Sequence, residues 1–337
     1  MANTEWQAAI TRPGWGGASS ATDIHLEVYD NDLDTKFQYT AMFKSLSAQK
    51  SVAERSNTYR FDRLAGSVVK TRTSGVALDA SRVVSDKAVV TVTAVMYVRH
   101  AIDYQDDWTA PDFLRELAAN DATAMAEQYD KEHIIQLQLC RGWVAPAHLK
   151  GAAAGNAFYD GAEITCAQEA TPASQAELEA NAIALEAAHL KAVETLITRK
   201  VSLADQVTLV TPAVFSALKY HPKLLNSEFD TTNGGAFGER RVIKLNGIPV
   251  IECTEFPIAG DVTQTQGTPY TVLAADAACE MIVFSKTKTL ITVEAQPFTS
   301  RVFDDEIGFA NVLDCYSMYT VGQRRPDTAV VVKLNRT

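Results

Sequence analysis

The chain has 337 residues and a net charge of −10, enough length to bury one large core or two smaller ones. With 47% hydrophobic and 21% charged residues, its composition is that of an ordinary soluble globular protein. No apolar run approaches the roughly 18 residues that cross a bilayer, and Met1 to Trp6 lacks the blocks of a signal peptide, so no membrane contact and a reducing cytoplasm are expected. The cysteines at 140, 166, 253, 279 and 315 are odd in number, scattered and without a C-x-x-C pair, as buried small hydrophobes would be.

Residues 1–35 are rich in Gly, Ser and Asp, with Trp6 and Trp15 isolated among them, and read as an arm that orders by docking. A short helical piece follows, with Phe37, Met42, Phe43 and Leu46. From Arg55 to Lys87 there are strand-like pieces at Tyr59 and Phe61 and at Val68 and Val69, broken by Gly66 and Gly75. So few apolar residues predict an extended hairpin with little core of its own. Lys87 to Ile102 alternates as one strand, with Val89, Thr91, Thr93, Val95 and Tyr97 on one face and Val90, Val92, Ala94, Met96 and Val98 on the other.

An acidic turn, Asp103 to Asp107, leads from that strand into a long helix. Thr109 and Asp112 form a capping pattern with Pro111 in the first turn, and no breaker appears before Gly142. The expected length is about 30 residues, or roughly 45 Å. Its apolar positions, from Phe113 and Leu117 through Met125 and Tyr129 to Ile134 and Leu139, wander around the axis, so it crosses several neighbours. The charge along this stretch is uneven. Residues 36–87 hold ten Lys/Arg against four Asp/Glu, and residues 103–132 hold nine Asp/Glu against two Lys/Arg. Neighbouring segments of opposite sign attract, although solvated surface faces give the same pattern.

Residues 141–173 are irregular apart from a strand at Ala162 to Ala167. A second helix, Ser174 to about Lys200, carries the stripe Ile183, Ala187, Leu190, Val193, Ile197. An α/β unit follows: strand Gln206 to Thr211, a helix opened by Thr211-Pro212, and a polar Gly-rich loop from Asn226 to Gly238. Asn246-Gly247 predicts a tight hairpin between Val242–Leu245 and Ile248–Glu252. The last third reads as strands at Met281–Phe284, Leu290–Val293, Ser300–Phe303, Leu313–Val321 and Ala329–Leu334.

Chemical signatures are missing. There is no phosphate-binding G-x-x-x-x-G-K-[ST], no G-x-G-x-x-G, no G-x-S-x-G and no H-E-x-x-H. Asp30-Asn-Asp32-Leu-Asp34 copies the opening of a calcium loop but has Thr35 for the turn glycine and Ala41 for the closing Glu. None of the six histidines is three or four residues from another, and His133 and His189 fall on helices as surface or packing residues. Asn233-Gly234-Gly235 and Gly238 have no strand leading into them and read as a solvent loop, not a phosphate cradle. The basic segment lacks a nucleic-acid motif. Neither a cofactor nor a metal is expected.

Taken in order, these segments resemble the major capsid proteins of tailed double-stranded DNA bacteriophages with the Hong Kong 97 fold, and look most similar to the short-tailed, podovirus-type members. The stretches that carry the resemblance are Val92-Thr-Ala-Val-Met-Tyr-Val-Arg-His-Ala-Ile-Asp103 feeding the helix to Cys140, Leu209 to Leu218, Asn246 to Ile251, Val283 to Ser285, and Thr299 to Asp305 with its continuation to Tyr319. The resemblance implies an α+β fold with four parts. They are an N-terminal arm (1–35), a helical piece with an extended β-hairpin loop (36–87), a peripheral domain with a spine helix (88–140 and 297–337) and an axial α/β domain (141–296). It implies no enzyme but a shell of hexamers and pentamers around packaged double-stranded DNA, without sequence-specific binding. Expected partners are other copies, a separate scaffolding protein, a portal and, in some members, a decoration protein.

On that reading Arg55, Arg60, Arg63, Lys70 and Arg72 of one subunit meet Asp106, Asp107, Asp112, Glu116 or Glu127 of the next. Asn226, Asn233, Gly234, Gly235 and Gly238 then lie in the loop at the capsomer axis. Two rival readings are an encapsulin-type nanocompartment, which has the same fold around a protein cargo, and a cytosolic α/β enzyme with a site that no motif marks.

Overall fold

The computed structural model describes residues 41–337, apart from 53–55, 68, 79, 81–83, 104–112, 151–157, 223–242, 266–267, 306, 309 and 337. The chain divides into two units, one comprising 1–41, 94–129 and 295–319 and the other 42–93, 130–294 and 320–337. The capping pattern at Thr109 and Asp112, the acidic loop at Asp30–Asp34 and the glycine loop 226–238 lie outside the described residues.

The larger unit is built on a six-stranded mixed sheet. Its strands are β5 (Ala162–Gln168), β6 (Gln206–Val210), β7 (Ile243–Leu245), β8 (Ile248–Glu252), β11 (Met281–Ser285) and β14 (Ala329–Arg336), in the order β5-β14-β11-β6-β8-β7. Every residue of the central strands β6 and β11 is buried, as a sheet covered on both faces requires. One cover is α3 (Gln175–Thr198) with α4 (Pro212–Leu218). Leu185, Ala192, Val193, Leu196, Phe215 and Leu218 pack there against Met281, Val283, Val330 and Val332. Ser174 and Glu177 form the capping box that starts α3, and the Thr211 hydroxyl accepts from the Val214 N–H to start α4. On the opposite side α1 (Phe43–Leu46) brings Phe43 against His133 and Phe284, with ring centroids 4.9 and 6.3 Å away. Asn246 and Gly247 both have positive φ, the geometry of a two-residue hairpin turn between β7 and β8.

β2 (Thr58–Leu64) and β3 (Ser85–Thr91) form a separate antiparallel ribbon. A third sheet, β1-β12-β13-β4, uses β1 (Ala48–Ser51), β4 (Met96–Asp103), β12 (Leu290–Asp305) and β13 (Ala310–Gln323). β9 (Val262–Thr265) and β10 (Thr268–Thr271) make a small hairpin before the one-turn helix α5 (Ala274–Ala277). The long helix α2 spans Phe113–Leu139, 27 residues, and ends in a tight turn at Cys140–Gly142.

Five sequence expectations change. The stripe read on α3 is its outer face: of Ile183, Ala187, Leu190, Val193 and Ile197 only Val193 is buried, because the core side of the helix is set by Leu185, Ala192 and Leu196. The alternating stretch from Lys87 is two strands, β3 and β4, in different sheets, and only its inside-outside phase holds: Val90 and Val92 are buried while Val89, Val95 and Tyr97 are exposed. No Gly or Pro marks the break, because separate partners end each ladder: β2 pairs with β3 and β13 with β4. The hairpin partner of β2 is β3 and not Val68–Val69. Leu290–Val293 and Ser300–Phe303 are one continuous strand, β12. Finally, β14, grouped by sequence with 88–140, pairs with β5 and β11 in the six-stranded sheet, where its Val-rich run finds both faces covered.

Gly161, at the entry to β5, tests the packing at the end of α2. A Cβ there would lie 2.1 Å from the Cys140 carbonyl oxygen and 2.5 Å from that of Arg141, and its own N–H is bonded to the Trp143 carbonyl at 2.7 Å. Gly161→Ala is expected to lower stability by about 3 kcal/mol in urea unfolding, because only backbone can move aside.

Candidate assembly surfaces

The ribbon presents two unlike faces. Arg60, Asp62 and Leu64 of β2, with Lys87 and Val89 of β3, point outward, while Tyr59, Phe61 and Arg63 are half-buried. Arg60 is paired in register with Val89, and Arg63 with Asp86. Beyond the strands the loop exposes Val69 at 92%, Val76 at 57% and Leu78 at 82%. Three apolar side chains this open on one loop are more than scattered single exposures.

Arg63 is committed within its own chain. Its guanidinium donates to the carbonyl oxygens of Gln323 at 2.9 Å and Arg324 at 3.1 Å, and lies 5.4 Å from the ring centres of both Phe61 and Trp143. Burial lowers its pKa against the opposing pull of Asp86 and Asp327. The same neighbourhood holds Asp327, fully buried and paired with Arg325 at 3.1 Å; Arg325 stacks on Phe158 at 4.8 Å. Arg199 at the end of α3 donates to the Asp327 carbonyl at 2.7 Å and lies over Tyr159 at 5.4 Å. Three arginines around one buried residue pin the ribbon root, the end of α3 and the β13–β14 turn together. The members stand at 63, 199 and 325–327, so sequence spacing carries no signal of the cluster.

The other cationic positions behave differently. Arg60 is exposed, as are Lys70 and Arg72 on the loop, where Arg72 Nε donates to the Val76 carbonyl. Arg55 lies outside the described residues. Among the acidic positions, Glu127 is exposed on α2. Asp106, Asp107 and Asp112 are outside the described residues, as is the side chain of Glu116. Asn226, Asn233, Gly234, Gly235 and Gly238 are likewise undescribed.

Sequence reading also missed Asp130. Its carboxylate accepts from the N–H groups of Met42 at 2.9 Å and Phe43 at 3.1 Å, and so fixes the start of α1. Desolvation raises its pKa to about 6, against those two hydrogen bonds, which lower it. His133, one turn further on, joins Thr292 at 2.7 Å, and Thr292 joins Ser47 at 2.6 Å. Burial depresses His189 to about 4, between Thr208 at 2.8 Å and Asn246 at 3.1 Å. Both histidines are thus packed core residues.

In the smaller unit Arg99 and Asp314 form a two-pronged ion pair across β4 and β13, at 2.5 and 2.7 Å. His100 meets the buried Asp121 of α2 at 3.0 Å.

No family model matches the sequence, and no curated protein aligns with it. Solved structures do match. The subunit of the mature capsid of bacteriophage PhiM1 is 38% identical, with a TM-score of 0.77 over 99% of each chain. The capsid structure of cyanophage P-SCSP1u has a TM-score of 0.73 at 17% identity, over 95% of this chain and 96% of that one. A virus-like particle from Pyrococcus furiosus shares the fold at 12% identity and a TM-score of 0.51, covering 88% and 93%. The chain belongs to the family of phage major capsid proteins with the Hong Kong 97 fold, and it is a structural component of the virion shell.

Asp130 and His189 give opposite pH slopes. As pH falls from about 6 to 4 the folded chain takes a proton at Asp130 that the unfolded chain does not yet take, which favours folding. From 6.5 to about 4 the unfolded chain protonates His189 before the folded one does, which opposes folding. Asp130→Asn removes the first slope, so stability in urea is expected to drop by about 3 kcal/mol more than in the unaltered protein over that window.

Proposed function

We propose that the chain assembles into the hexamers and pentamers of an icosahedral phage head that encloses double-stranded DNA. The observation that carries this reading is 38% identity over 99% of both chains to the subunit of a mature phage capsid. Heterologous contacts between identical copies close into rings, and rings tile a shell. In this reading residues 36–87 lie over the adjacent subunit. Residues 88–140 with the strands from 297 to 323 form the peripheral domain. Residues 141–296, joined by the C-terminal strand, form the axial domain, with 226–238 toward the capsomer axis. The head is of the short-tailed type and is built in the host cytoplasm with a separate scaffolding protein and a portal. It takes a decoration protein where outer loops offer a site. A net charge of −10 suits a wall that holds DNA without gripping it.

The ribbon contact is electrostatic at its edge. Arg60 of one copy faces Glu127 of the next, with Lys70 and Arg72 completing the basic side and the acidic start of α2 its counterpart. Arg63 is left out of the proposed pair because its guanidinium already donates to the Gln323 and Arg324 carbonyl groups.

Co-expression with the phage's scaffolding protein should yield closed particles hundreds of ångströms wide in negative-stain electron microscopy; a small monodisperse oligomer would overturn the shell reading. Arg60→Glu is expected to reduce particle yield while leaving the unassembled chain folded. Adding Glu127→Arg should restore the yield, since a reversed pair keeps its attraction of up to about 1 kcal/mol per contact. Failure of the double variant to recover would remove this pairing.

A further inference from the structure

The chain enters and leaves segment 223–242 beside one turn of α3. On the entering side α4 is followed by Tyr220 and His221, and His221, 4% exposed, is the last buried residue before the segment. Its Nε2 lies 2.8 Å from a Glu186 carboxylate oxygen. On the leaving side the chain returns as β7, three residues at the edge of the six-stranded sheet, paired with β8. So short an edge strand is weakly held by its ladder alone.

A second tie reaches it from α3. Asn246, in the turn after β7, donates a side-chain N–H to His189 Nδ1 at 3.1 Å. With Nδ1 accepting, the neutral imidazole carries its proton on Nε2 and donates to the Thr208 hydroxyl at 2.8 Å. Thr208 is fully buried in β6, so His189 links the turn to the centre of the sheet. His189 is also the one polar group on a buried helix face otherwise made of alanine, leucine and valine. A leucine would fill that place without burying two ring nitrogens, so the distinct contribution of the histidine is the link from Thr208 to Asn246. Glu186 and His189 are three residues apart and share one side of the helix. The Glu186 charge is felt at both histidines, by direct approach to His221 and by opposing the effect of burial on His189.

We propose that Glu186 and His189 are positioning residues for assembly: they hold both ends of segment 223–242 to one turn of α3 and so fix where it meets the copies around the capsomer axis. The inference rests on the axial role proposed for that segment. Contacts that close into a ring need one geometry in every copy, and two ends fixed to the same helix turn provide it.

The test uses the full chain, alone and co-expressed with its scaffolding protein. Glu186→Ala removes the partner of His221, and Asn246→Gly removes the amide while keeping a residue suited to positive φ. In hydrogen exchange of the unassembled chain, Glu186→Ala is expected to speed the amides of 219–221 and Asn246→Gly those of 243–245, each by about tenfold. Strands β6 and β11 should keep their protection. The double variant should lower the yield of closed particles by about tenfold or more. Glu186→Gln, whose amide oxygen still accepts from His221, should keep the yield of the unaltered chain. Faster exchange throughout the sheet would mean a general loss of stability and would overturn the positioning role. Normal yield from the double variant, or unchanged exchange at both ends, would overturn it too. Particles carrying Asn233→Cys and treated with a bismaleimide test the axial reading separately. Crosslinked ladders up to pentamers and hexamers support that reading. Their absence, with exchange and yield as expected, overturns the axial placement and leaves the positioning role.

Discussion

A carboxylate with no exposed surface has to be matched where it stands, and Asp327 is matched by Arg325 at its side chain and by Arg199 at its backbone. Arg63 adds a third guanidinium through the carbonyl oxygens of Gln323 and Arg324. Removing any one partner leaves a buried charge or carbonyl uncompensated, so the three chain regions that supply them must come together or not fold. Aromatic faces at Trp143, Phe158 and Tyr159 cover the guanidinium groups and keep water from competing. The six-stranded sheet supplies the burial energy, and this cluster decides where the ribbon leaves it.

For a shell subunit that division matters. The core made by β6, β11 and β14 with α3 and α4 satisfies itself within one chain. The surfaces left over include exposed apolar side chains on the ribbon loop and on the outer face of α3. Val69 and Leu78 on the ribbon loop and Leu190 on α3 are open to solvent in the single chain. Arg63 fixes the root of the ribbon through the Gln323 and Arg324 carbonyl groups, while Arg60, Asp62 and Leu64 stay on its outer face.

Much of the fold was legible because local chemistry is strong there. The helix read from Ser174, the Thr211-Pro212 start of α4 and the Asn246-Gly247 turn all form where the sequence placed them. Apolar runs such as Met281–Ser285 announced buried strands. The candidate contact residues were less legible. Arg60 and Arg63 are three positions apart in one basic segment, yet strand alternation together with the position of Trp143 turned Arg63 inward while Arg60 stayed out. Asp130 looked like one more acid in a charged stretch until α1 supplied two N–H groups to it.

What the sequence by itself determined is the type of its longer elements, the inside-outside phase of the stretch from Lys87 and the family, since these follow from neighbours a few residues apart and from residues shared along the chain. Tertiary structure alone decided which partner each strand takes, so that one alternating run became β3 and β4 in two sheets. It also decided which of two apolar rows on α3 faces the core. Periodicity marks both rows equally, and only the position of Met281, Val283, Val330 and Val332 across from Leu185, Val193 and Leu196 tells them apart.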